Sequence, residues 1–101
     1  MTRATVGDGI AVARLACHGS TLSLYAHYWD LVRGLYGHLA LEDIRASHVR
    51  AAADLAAEVA VRRRTSVDGR SAAEHMLAAC RKLFAVAQAD GLCPGNPAAL
   101  V

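Results

Sequence analysis

Apolar side chains recur every third or fourth position through most of this chain, the spacing that lines one side of an α-helix. The clearest case lies between residues 71 and 91. Ala73, Met76, Leu77, Cys80, Leu83, Phe84 and Ala87 form one continuous stripe, and Arg70, Glu74, His75, Arg81 and Lys82 fall on the other side. Ser71 stands three residues before Glu74, a capping-box spacing that predicts the start of this helix. Asp90-Gly91 predicts its stop, because glycine accepts the left-handed conformation past the last turn. Asn96-Pro97 then turns the chain into a short apolar tail.

Three further helices are expected before it. Residues 8–17 carry Ile10, Ala13 and Cys17 at helical spacing, with Gly7 and Gly9 weakening the start and residues 1–7 expected to fray. Residues 20–36 place Leu22, Tyr25, Trp29, Val32 and Tyr36 on one side, widened by Leu24, Leu31 and Leu35. Ser20 or Thr21 is the expected cap, Gly37 the stop, and the aromatic stripe reads as core. After a connector at 39–44, residues 46–62 turn Val49, Ala52, Leu55, Ala56 and Val59 inward. Arg50, Asp54, Glu58 and Arg62 step four apart on the outside. Glu58 followed by Arg62 is the favourable ion-pair orientation on a helix. Residues 62–70, RRRTSVDGR, form a polar loop.

At 101 residues the chain suffices for one domain with one core, so residues 1–101 are read as a single domain. Many of its apolar residues are alanines and aromatics are few, which favours closely packed helices over a sheet. Fold class is therefore all-α, with helices packed closely around one core. Net charge is only +2, but residues 44–82 hold eight basic side chains against four acidic ones, +4 in that stretch. Such asymmetry hints at a basic patch. The loop bearing Arg62, Arg63 and Arg64 reads equally as a solvated turn or as a phosphate-contacting loop, since guanidinium groups neutralise backbone phosphates.

Cys17, Cys80 and Cys93 are odd in number and widely spaced, with no CxxC pair, which fits a reducing cytoplasmic compartment. The five histidines are scattered, mostly onto the expected surface. No metal or cofactor is expected. Residues 1–19 lack the long apolar run of a secretory signal, and no stretch approaches the roughly 18 apolar residues of a membrane span. Catalysis needs a nucleophile, a base and an orienting group in one place, and no spacing here assembles them. Glu74 and His75 are neighbours that diverge by about 100° on a helix.

The ordered set Thr21-Leu22, Tyr25, the LEDI connector at 41–44, a second long helix, a basic loop, Ser71, Arg81-Lys82-Leu83-Phe84, Gly91-Leu92 and Asn96-Pro97 resembles the N-terminal core-binding domain of tyrosine recombinases, the phage-integrase and Xer family. The likeness spans about residues 8–101. It implies a compact SAM-like bundle of four to five helices forming half of a clamp on a double-stranded DNA half-site, for DNA integration or recombination. It also implies a catalytic domain, with its tyrosine nucleophile, following the Asn-Pro tail in a longer parent chain. This stretch is then not itself the enzyme. Its partners would be duplex DNA, that C-terminal catalytic domain and neighbouring recombinase protomers, with no membrane.

Carried over residue by residue, the likeness puts Arg70, Ser71, Glu74 and His75, at the start of the last long helix, in the major groove. Free N–H groups at a helix start suit phosphate. It assigns Arg81 and Lys82 outward toward DNA, and Ser20 and Thr21 near it. With Arg62, Arg63 and Arg64 of the loop, these are the expected DNA-binding residues. Arg45 departs from the small polar cap usual at its position. The alternative reading is a small helical protein-interaction module without DNA affinity, for which Leu24, Tyr28 and Leu31 are the spare apolar candidates.

Overall fold

The computed structural model describes residues 3–63 and 68–101. Four helices follow the sequence periodicities: α1 (Val6–Ala16), α2 (Gly19–Tyr36), α3 (Ala46–Arg62) and α4 (Arg70–Ala89), with a single 3₁₀ turn at Leu41–Asp43 in the connector. No strand occurs among the described residues; only an isolated bridge joins Thr5 to Ala40. The architecture is all-α. No helix among the described residues is long and apolar enough to cross a membrane.

α4 is the central element and packs on each of the other three, most extensively on α3. Its buried side is Ala72, Met76, Ala79, Cys80, Leu83, Phe84 and Ala87. Ala73 and Leu77 are only half-buried, so the stripe is turned slightly from the expected one. Each large apolar side chain buried there contributes about 1.5–3 kcal/mol. α3 faces it with Val49, Ala52, Ala53, Ala56 and Ala60, while Leu55 and Val59 lie half-buried at the edges. Alanine seams let two helix axes approach closely.

Contacts fix the helix directions. Cys80 and Phe84 of α4 meet His48, Val49 and Ala52 of α3 and Val32 and Tyr36 of α2 around one small apolar gap. Ser71, Ala72 and His75 meet Ala56, Val59, Ala60 and Arg63 of α3 and His27 and Tyr28 of α2. Hence α3 runs antiparallel to both α2 and α4. The start of α4, the end of α3 and the start of α2 share one end of the molecule.

Helix ends differ from the expected caps. α1 begins with a full capping box: the Thr5 hydroxyl accepts from the Asp8 N–H (3.1 Å), and the Asp8 carboxylate accepts from the Thr5 N–H (2.9 Å). The stretch expected to fray is tied down from Arg3 onward, where the guanidinium pairs with Glu42 (2.6 Å) and Asp43 (3.0 Å). α2 starts at Gly19, so Ser20 and Thr21 sit within the first turn rather than capping it. Ser71 and Glu74 form no capping box either. α4 begins at Arg70 after Gly69, whose φ is +75°. The Asp68 carboxylate accepts from the Arg70 N–H (3.0 Å), and Glu74 pairs with the Arg70 guanidinium instead (3.4 Å). At α3, Arg45 has no acceptor in its side chain. His48 Nδ1 satisfies that end by accepting from the Arg45 N–H at 2.9 Å.

Past α4, Gly91 takes φ +78° and the tail folds back along the helix. Asn96 organises the turn, donating to the Arg81 carbonyl (3.2 Å) and accepting from the Ala98 N–H (3.0 Å), which seats Ala98 in the core. Cys17, Cys80 and Cys93 are free, buried thiols. Burial pushes the Cys80 thiol up to about 12, against the opposing charge of Arg81.

Candidate nucleic-acid interface

A groove opens where α4 begins and α3 stops, flanked by the middle of α2. Its floor is Ala56, Ala60 and Ala72, small because α3 and α4 approach closely there. Gly69 shows how closely: a Cβ on it would lie 2.5 Å from the Ala57 carbonyl oxygen. Around the floor stand Arg63, Ser71, His75, His27 and Tyr28, with Val59. No carboxylate is among these lining residues.

The rings in the groove touch one another. His27 meets Tyr28 edge-on with centroids 5.0 Å apart, and Tyr28 meets His75 at 6.0 Å and 53°. Tyr28 is half-buried, and desolvation raises the pKa of its phenol above the ordinary tyrosine value. His27, Arg63, Ser71 and His75 are exposed.

The exposed side of α4 divides into two rows. At about 100° per residue, Lys82 returns to the side of His75 about 10 Å further along the helix, in line with Ser71. Arg81 returns to the side of Arg70, about 16 Å on, with Glu74 between them. The first row continues the groove; the second carries its own carboxylate and the chain's tail. So Arg63, Ser71 and His75 come together in the groove, Lys82 lies about 10 Å further along the same side of α4, and Arg70, Glu74 and Arg81 lie around the helix from them.

Partners separate these cations further. Arg62 pairs with Glu58 (2.7 Å) and Arg70 with Glu74 (3.4 Å), both in exposed intrahelical pairs. Such pairs contribute a few tenths of a kcal/mol and yield readily to a stronger anion. Arg81 donates to the Val101 carbonyl oxygen (2.5 Å). Among the described residues, Arg63 and Lys82 have no carboxylate partner. Toward the start of the chain the basic groups are neutralised: Arg14 and Arg33 share Asp30, and Arg3 holds Glu42 and Asp43. Ser20 and Thr21 are exposed at the groove's end of the bundle. Arg64 lies outside the described residues.

Sequence reading does not single out His27, and names Tyr28 only as a spare apolar candidate for protein contact. Their role depends on α2 crossing over the α3–α4 seam, a tertiary fact without a local signal. No group of three metal-ligating side chains gathers among the described residues. A second cleft runs between the connector and the tail, where Glu42 and Arg45 both stand beside Asn96 and Leu100; opposite charges there give it no single polarity.

Comparison with known proteins finds no match to this chain among protein-family models, curated proteins or solved structures.

Proposed function

We propose that this chain is a duplex-DNA-gripping domain of the tyrosine-recombinase core-binding type, non-catalytic in itself, acting in the cytoplasm beside a catalytic domain of the same parent chain and neighbouring protomers. One observation carries the DNA reading: Arg63, Ser71 and His75 share a groove at the start of α4, with no carboxylate among its described lining residues. Past the Arg70 N–H, which the Asp68 carboxylate takes, the first turn of α4 still offers N–H groups and a partial positive charge to phosphate oxygens. Lys82 extends the same row, and Arg62 and Arg70 flank it in weak pairs that a phosphate can displace. Ser20 and Thr21 supply hydroxyl donors at the same end.

Fluorescence anisotropy with a labelled duplex across a salt series tests this. Affinity falls steeply with salt, and Arg63→Ala and Lys82→Ala each reduce the slope by about one phosphate contact. Absence of duplex binding at low salt, or slopes untouched by both substitutions, overturns it.

One observation favours a second reading, a helical protein-interaction module. Leu24, Tyr28, Leu31 and Leu35 follow one another on a single side of α2, with Leu24 43% and Leu35 37% exposed. That spacing, i, i+4, i+7, i+11, is the one by which a helix docks on a partner. Light scattering separates the two: a mass above the monomer that Leu24→Glu abolishes, together with no duplex binding, selects the interaction module.

A further inference from the structure

Beyond backbone phosphate contact, the ring cluster in the groove has a chemistry of its own. Duplex DNA offers its phosphates outward and keeps its bases stacked, so a phosphate-only surface has no use for aromatic rings. Here three rings from two helices, His27, Tyr28 and His75, converge on a slot with a methyl-lined floor. Arg63 and Ser71 stand at the same slot. Rings and small apolar side chains favour a flat aromatic ligand, while a guanidinium and a hydroxyl favour an anion. The open volume of about 270 Å³ lies near the lower end of ligand-pocket sizes, room for one compact unit.

We infer that this groove binds a single nucleotide unit, its base stacked on the Tyr28–His75 rings and its phosphate met by Arg63 and Ser71. Stacking on aromatic side chains beside a cation is how single strands are held without sequence readout. The inference rests on the nucleic-acid reading above only for its source, which is either a free nucleotide or an unpaired nucleotide of a strand. Lining without a carboxylate is what distinguishes this groove from the cleft beside Glu42 and Arg45.

The test titrates isotope-labelled protein with thymidine monophosphate, a short oligothymidylate strand and a blunt duplex, following amide shifts and anisotropy. The strand is expected to shift residues 27, 28, 63, 71 and 75. His75→Ala and Tyr28→Leu should each weaken it about tenfold, the scale of one stacked base. Arg63→Ala should weaken it and lower its salt slope. His75 and Arg63 are exposed, so those two variants keep the test valid if Tyr28→Leu unfolds. Strand binding without monophosphate binding assigns the site to an unpaired nucleotide in a chain; binding of both at similar strength assigns it to the free nucleotide. Duplex binding with neither strand nor monophosphate in the groove, or strand binding indifferent to His75→Ala and Arg63→Ala, overturns the inference and leaves the duplex reading standing. Strand binding in the groove without duplex binding does the reverse. No binding by any of the three removes both.

Discussion

The indole N–H of Trp29 donates to the backbone carbonyl of Ala79 across 2.8 Å, joining α2 to α4 in the middle of the core. Trp29 is fully buried, and that bond satisfies its one polar atom. Trp29→Phe keeps an aromatic ring but loses the donor and part of the volume. Unfolding in urea should show a loss of about 2–4 kcal/mol with little change in far-ultraviolet helicity, from cavity and hydrogen-bond terms together. A loss below about 0.5 kcal/mol would mean that this bond does not tie the two helices.

Two glycines with positive φ make a controlled pair. Gly91 has φ +78° and open space where a Cβ would be; Gly69 has φ +75° and the Ala57 backbone in the way. Gly91→Ala should cost about 1–2 kcal/mol, the left-handed penalty alone. Gly69→Ala should cost about 2–4 kcal/mol, because overpacking is added. Equal losses in thermal melts would place α3 and α4 further apart at that end.

Much of this fold was legible from residue spacing. The bounds of α3 and the stop of α4 at Asp90-Gly91 agree with the sequence reading because both follow from local periodicity and glycine chemistry. Caps were less legible. Ser20, Thr21 and Ser71 have the right chemistry, yet the helices start one or two residues earlier, where Gly19 and Gly69 adopt positive φ. Thr5 and Asp8 have equally good cap chemistry, but Gly7 and Gly9 beside them obscured it. Periodicity also weighs Leu55 and Ala53 alike as apolar. Packing does not: the smaller side chain goes into the seam and the larger one to its margin. The groove was half legible, in Arg63, Ser71 and His75 but not in the two rings that α2 brings to it.

Alkaline pH should destabilise the protein through Cys80. Its thiol ordinarily ionises near 9.0 and here is held neutral up to about 12 by burial. A raised folded-state value gives stability that is complete below the unfolded value and is lost as pH rises toward the folded one. Above about pH 9 the unfolded chain ionises first, so stability falls across pH 9–12, by up to roughly 4 kcal/mol. Cys93 and Tyr28 are shifted in the same direction by burial, so Cys80→Ala should flatten that fall without abolishing it. Urea midpoints at pH 8 and pH 11 under reducing conditions decide it; identical pH dependence in the two proteins would contradict a buried neutral thiol.

Glu74 is the one carboxylate on the exposed side of α4, paired with Arg70 at 3.4 Å. Glu74→Gln releases that guanidinium and removes a negative charge beside the expected phosphate track. Duplex affinity at low salt should rise a few-fold, with a change in fold stability within about 0.5 kcal/mol. Unchanged affinity would put the Arg70 row away from the DNA.

The methyl-lined seam between α3 and α4 also governs how freely this sequence can vary. Where Gly69 meets Ala57 even one added carbon has nowhere to go, while the half-buried Leu55 and Leu77 at the margin have room to change size. Tolerance to substitution should therefore run opposite to side-chain bulk: the smallest residues of these two helices are the least replaceable.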